Sequence, residues 1–260
     1  ELMLAILKRE FKSYFQNIVG FLFVGALLAT FGLYFYAYNL SNGYPYLSYS
    51  LSSISFILII AVPILTMRCF SEERKNKVDQ LVLTAPVSVG KIVMGKYFAM
   101  AAVFAIDNVI FAVAPLILSR FGTVPFGECY VSLFGFFLYG CTLISIGMFI
   151  SSITESQVIA AVLSFAVFFI GYMMKSIEGL VSANGNIVTK IMSAFDLYSP
   201  FDGFNSGCLD LTGTAYYVTV IVLFMFLTTQ SIQKRRWSIS SKKISTGVFS
   251  VTFVAVAMVV

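Results

Sequence analysis

Histidine is absent from these 260 residues, which removes the Ser-His-Asp triad, the H-E-x-x-H zinc site and histidine-ligated haem from what this chain can build alone. Charge is scarce as well. Only 11% of residues are Asp, Glu, Lys or Arg, against about 25% in an average globular chain, while 59% are apolar or aromatic, and that balance excludes an ordinary soluble domain. The four cysteines (Cys69, Cys129, Cys141, Cys208) form no C-x-x-C pair, so neither a thiolate metal site nor a disulfide scaffold is indicated, and nothing in the spacing of Cys129 and Cys208 requires a bridge. The long apolar runs also lack the alternation of barrel strands.

What remains is a set of helices long enough for a bilayer. About 30 Å of hydrocarbon takes about 20 mostly apolar residues, and six stretches qualify: 18–38, 50–67, 97–118, 130–151, 157–174 and 214–232. Inside hydrocarbon the backbone must satisfy its own hydrogen bonds, so the expected fold is an all-α, six-helix polytopic bundle. The first run has no A-x-A cleavage site and reads as a retained helix. A last apolar run, from Ile244 to Val260, has no polar flank and is expected to open a truncated seventh span after a basic linker.

Fourteen of the seventeen basic residues fall in alternate segments, around Lys8 to Lys12, Arg68 to Lys96 and Lys234 to Lys243. Lysine and arginine are retained on the cytoplasmic side, which puts both ends of the six-span unit there. The positive balance is then topology and contact with anionic lipid, and no nucleic-acid partner is expected. Before the first span, Leu4, Leu7, Phe11 and Phe15 recur at helical spacing opposite Lys8, Arg9, Lys12 and Gln16. Residues 2–16 therefore read as an amphipathic helix in the headgroup plane or, more plainly, as a cytosolic extension. Tyr34, Tyr36, Tyr38, Tyr44, Tyr46 and Tyr49 suit the opposite interface.

Between the second and third spans the chain carries its densest charge, from Arg68 through Glu72, Glu73, Arg74, Lys75, Lys77 and Asp79 to Pro86. Ser71 is placed to cap a helix with Glu72 and Glu73 in its first turn, Val78, Leu81 and Val82 make an apolar stripe, and Pro86 suits the start of the next helix. Such a segment serves equally as a force-receiving stub or as a solvated hairpin that fixes topology. Downstream, Gly90 to Tyr97 fits a phosphate loop except at Tyr97, where a small hydroxyl residue should hold magnesium. No strand is expected before it, so Lys91 and Lys96 read as inner-face anchors. Asp107, beside Asn108 in the third span, faces a cost of about 2.5 to 3.5 kcal/mol at a helix centre and should point into the bundle, toward substrate or toward a packing partner. The segment from Lys175 to Gly213 is too long for a plain connection, and Ile187, Ile191, Met192, Phe195 and Leu197 make part of it amphipathic, so short helices dipping back toward the membrane are expected.

Four passages together resemble the permease subunits of ABC-2-type exporters, in the gliding-motility-like, multidrug-type bacterial branch. Met3 to Phe15 is similar to the family's elbow helix, and Phe70 to Ser88 to the loop bearing its coupling helix. Ser151 to Gln157, with Thr154 and Glu155, is similar to the tight inner turn between spans four and five. Pro200 to Phe204, Leu209 to Leu211 and Arg235 to Trp237 resemble the flanks of the last span.

The resemblance implies a permease domain over 1–237, with 238–260 leading toward an extracytoplasmic auxiliary domain or subunit. It implies a bacterial inner-membrane location, a second identical or sibling permease subunit, and a separate ABC ATPase subunit that binds ATP and Mg, this chain holding no cofactor or metal and having no enzymatic activity of its own. Glu72, Glu73, Arg74 and Asp79 would contact that ATPase, with Leu81, Leu83, Thr84 and Pro86 seated in its groove. A gradient-driven secondary transporter or channel, and a non-exporting motility or secretion component, stand as alternatives. One buried acid and no evident internal repeat give the secondary transporter little to work with.

Overall fold

The computed structural model describes residues 2–75, 88–181 and 195–236. Its elements are helices: α1 (Leu2–Gln16), α2 (Ile18–Tyr34) running on as a π-helical segment (Phe35–Ser41), α3 (Ser48–Thr66), α4 (Ser71–Lys75), α5 (Val89–Phe111), α6 (Ala114–Leu118), α7 (Phe126–Ile153), α8 (Gln157–Val181), α9 (Ser199–Asn205) and α10 (Leu211–Arg236). No strand occurs among the described residues. Six of these stretches are long and apolar enough to cross a membrane, and they coincide with the six runs expected from hydropathy. The seventh run, from Ile244 to Val260, lies outside the described residues.

The helix ends differ from the hydropathy boundaries for a physical reason. Apolarity fades before backbone hydrogen bonding does, so the third span begins at Val89 rather than Tyr97, carrying Lys91 and Lys96 on its first turns. Its far end breaks at Ala112 and Val113, ahead of Pro115, and resumes as the short α6.

α7 is the axis of the bundle, packed against α3, α5, α8, α9 and α10. Close approach there depends on missing side chains: a Cβ at Gly140 would lie 2.2 Å from the ring of Phe104 on α5. Around that contact sits an aromatic core in which Phe31 stacks on Phe111 at 4.0 Å and Phe136 meets both Phe104 and Phe111. The outward faces of α2 and α8 expose Phe21, Leu22 and Leu33, and Val158, Val162 and Ile170, the pattern of helices whose solvent is hydrocarbon.

At the end of the bundle opposite the basic clusters, Asn39 in the π-helical segment organises the turn. Its amide donates to the carbonyls of Tyr44 (2.8 Å) and Tyr46 (3.0 Å), and its oxygen accepts from Ser50 Oγ at 2.7 Å. Tyr34, Tyr38, Tyr49 and Tyr44 follow one another in ring contacts around it, with Tyr36, Tyr44, Tyr46 and Tyr49 exposed, as an interfacial belt requires.

Candidate functional site

The basic end of the bundle holds the densest polar cluster. α1 is amphipathic as its spacing predicts. Leu7, Phe11 and Phe15 are partly covered while Lys8, Arg9, Lys12 and Gln16 are exposed, although Leu4 of the same stripe is exposed too, and the helix packs along α5 and α2. Gly95 makes that possible, since a Cβ there would come within 2.8 Å of the Ile6 side chain. One residue on, Lys96 is only 3% exposed and turns its ammonium into the corner between α1, α4 and α5. It donates to Glu73 Oε1 at 2.7 Å and to the Cys69 carbonyl at 3.0 Å, lies 3.5 Å from Glu10 Oε2, and sits 5.2 Å from the centre of the Phe70 ring. An ammonium withdrawn from water is tolerated only when paired and hydrogen-bonded in this way. Lys96 is therefore not the interfacial anchor that its sequence position suggests, and residues 90–97 are continuous helix rather than a phosphate-binding loop.

The stub itself is braced from both sides. Arg68 grips Glu72 through Nε and Nη2, each at 2.7 Å, a bidentate pair on successive turns. Ser71 does not cap α4 as its position in the sequence suggests. Its hydroxyl hydrogen-bonds the Met67 carbonyl one turn back, so the chain turns into α4 without a free N-terminus. Ser151, at the end of α7, accepts from the backbone N–H groups of Phe70 (3.2 Å) and Ser71 (3.3 Å) and donates to the Met67 carbonyl (3.3 Å). The inner turn continues with Thr154, whose hydroxyl donates to Ile150 O at 3.0 Å, then Glu155, and Gln157 opens α8. On the elbow, Arg9 donates to Glu10 at 2.7 Å, which pushes its guanidinium further up, and burial pushes the Tyr14 phenol up.

These groups line a cleft of about 460 Å³ whose walls include Arg9, Glu10, Arg68, Glu72, Glu73 and Lys96. Three cations face three acids there, and each is committed to another member of the set. Among the described residues no group of three or more His, Cys, Asp or Glu side chains converges as a metal site.

Of the residues singled out in the stub, Glu72 and Glu73 are thus engaged within the chain. Arg74 lies in α4, and Asp79, Leu81, Leu83, Thr84 and Pro86 fall outside the described residues. Sequence reasoning missed Glu10, Arg68 and Ser151 as parts of this corner. Only the i, i+4 spacing of Arg68 and Glu72 carried a signal.

Two further features lie elsewhere. Asp107 is fully buried, on the face of α5 that carries Phe104 and Phe111, and neither carboxyl oxygen has a hydrogen-bond partner among the described residues. The amide nitrogen of Asn108 is likewise unpartnered. Toward the other end, Leu197 to Asn205 folds back into the bundle. Asp196 Oδ1 accepts the N–H groups of Tyr198 (3.1 Å) and Ser199 (2.9 Å), Tyr217 donates to the Leu197 carbonyl (2.9 Å), and Asn205 donates to Ser52 Oγ (2.7 Å). Phe201 and Phe204 are fully buried there, and burial pushes the Tyr198 phenol up to about 12. A short helix, α9, thus lies in the long connection, but not on the stretch that suggested one: Phe195 and Leu197 precede it, and Ile187, Ile191 and Met192 fall outside the described residues. All four cysteines are free, Cys208 alone among them exposed.

Comparison with known proteins agrees with this architecture. No curated protein matches the chain. The family described as ABC-2 family transporter protein matches residues 5–232, from within α1 through the first five spans and most of the sixth. With six helices fit to cross a membrane, an amphipathic helix leading into the first, and a match over nearly its whole length, the chain belongs to the ABC-2 transporter family, as a multi-pass membrane permease component.

Proposed function

We propose that this chain is the membrane-spanning half of an ATP-driven exporter in a bacterial inner membrane, with its N-terminus and the stub after the second span cytoplasmic. A separate ATPase subunit docks beneath it, and a second permease chain faces it across the translocation path. One observation supports this reading above the others: the charged stub is braced against α1, α5 and α7, as a part that receives force must be. A hairpin that served only to fix topology would gain nothing from a buried, triply contacted lysine.

ATP and Mg would be bound by the ATPase subunit; residues 90–97 of this chain are helix. Because Glu72 and Glu73 are occupied within the chain, the docking contacts fall to Arg74, Asp79 and the apolar residues Leu81, Leu83 and Pro86 with Thr84. Closure of two ATPase subunits on ATP would then displace the stub and tip the bundle between inward-open and outward-open forms, driven by the difference in binding between the two states. Purification of the tagged chain in mild detergent tests the assembly. A co-purifying subunit that hydrolyses Mg-ATP is expected, whereas transport by the isolated chain in proteoliposomes with an ion gradient and no nucleotide would favour a secondary carrier.

A further inference from the structure

We propose that Lys96 is the positioning residue that carries movement of the inner stub into the third span. This rests on the coupling role proposed above. The ammonium of Lys96 joins Glu73 of α4, the carbonyl of Cys69 just before it and Glu10 of α1, while its backbone is part of α5. Three elements therefore share one buried charge. Pulling the stub away from α5 would strand that ammonium in a low-dielectric corner, which is far more costly than moving both elements together. The neighbouring contact of Ile6 on Gly95 closes the elbow onto the same turn of α5, so α1, α4 and the start of α5 form one rigid corner.

The other ion pairs at this end cannot do this. Arg68 and Glu72 lie one turn apart in the same segment, and Arg9 and Glu10 are adjacent on α1. Ser151 links the stub to α7 by neutral hydrogen bonds alone. Lys91 is exposed. Among the described residues, Lys96 is thus the charged group that fastens the stub to a spanning helix.

The test uses the permease assembled with its ATPase in lipid nanodiscs, in a Cys208→Ser background. One spin-label pair at Lys75→Cys and Met94→Cys reads the stub against α5, and a second at Arg120→Cys and Leu209→Cys reads the opposite end. With Lys96 present, Mg-ATP plus vanadate should shift the second distance and leave the first unchanged. In Lys96→Met, ATP hydrolysis should persist, the first distance should become nucleotide-dependent, and the second should lose its response.

The variant Glu10→Gln/Glu73→Gln/Lys96→Met removes the two acids left without their cation, so it should assemble normally and still be uncoupled. Recovery of coupling in that variant, or an unaltered response in Lys96→Met, overturns the proposal. Failure of both variants to assemble also overturns it, by showing a brace for folding alone. If the second distance does not respond even with Lys96 present, the coupling reading itself fails and takes this inference with it.

Discussion

The paired and unpaired charges inside this bundle behave in opposite ways. Lys96 is stabilised by two carboxylates that are themselves mostly covered, and removing a partner of a buried pair typically costs about 3 to 5 kcal/mol because the remaining charge is stranded. The double variant Glu10→Gln/Glu73→Gln is therefore expected to lower the unfolding midpoint in detergent by far more than Glu10→Gln alone, since Glu10 stands 3.5 Å from the ammonium and Glu73 2.7 Å. Equal effects of the two variants would contradict that assignment.

Asp107 presents the reverse case, a buried acid with no partner for either oxygen among the described residues. Replacing it by Leu removes an unsatisfied polar group and is expected to raise the unfolding midpoint. A fall in that midpoint would show that the carboxyl is satisfied in the assembled protein. The sequence announced Asp107 through its isolation in an apolar run. It could not announce the role of Lys96, whose partners come from α1 and α4 and meet only when both fold against α5.

Among the elements, the spans were legible and their ends were not. Hydropathy finds each run because hydrocarbon demands it, but the helix of the third span extends eight residues beyond the apolar stretch, from Tyr97 back to Val89. That extension carries both Gly95 and Lys96, the two residues that seat α1, so the boundary error hid the corner itself. In the same way Ser71 offered a cap by residue type, but its hydroxyl bonds backward to Met67 because the chain is already turning there.

The packing of α5 on α7 gives a direct test at this scale. Gly140→Leu would drive a side chain into the Phe104 ring and should cost about 1 to 3 kcal/mol, measured as a lowered midpoint of thermal unfolding. Gly25, with open space around its Cβ position, is the control: Gly25→Leu should leave the midpoint nearly unchanged.

For the whole molecule, composition alone was enough to name the class. An apolar chain with basic residues in alternate segments is a polytopic helical membrane protein, and the family match over residues 5–232 agrees. The same alternation predicts the direction in which it sits, with the basic segments cytoplasmic. Cys208, exposed at the end away from the basic clusters, should react with a membrane-impermeant maleimide on intact cells. In a Cys208→Ser background, a cysteine introduced at Lys91, exposed at the basic end, should react only after permeabilisation. What the sequence left open was whether the charged segment packs on the bundle, and the structure shows that it does, through contacts made across the fold by Ser151, Glu10 and Lys96.

The stub's working partner can be identified by site-directed cross-linking. Thr84→Cys in the assembled complex, paired with cysteines placed along the groove of the co-purified ATPase subunit, should form a disulfide whose yield changes when Mg-ATP is added. Cross-links confined to lipid or to the second permease chain, with none to an ATP-hydrolysing subunit, would contradict the account.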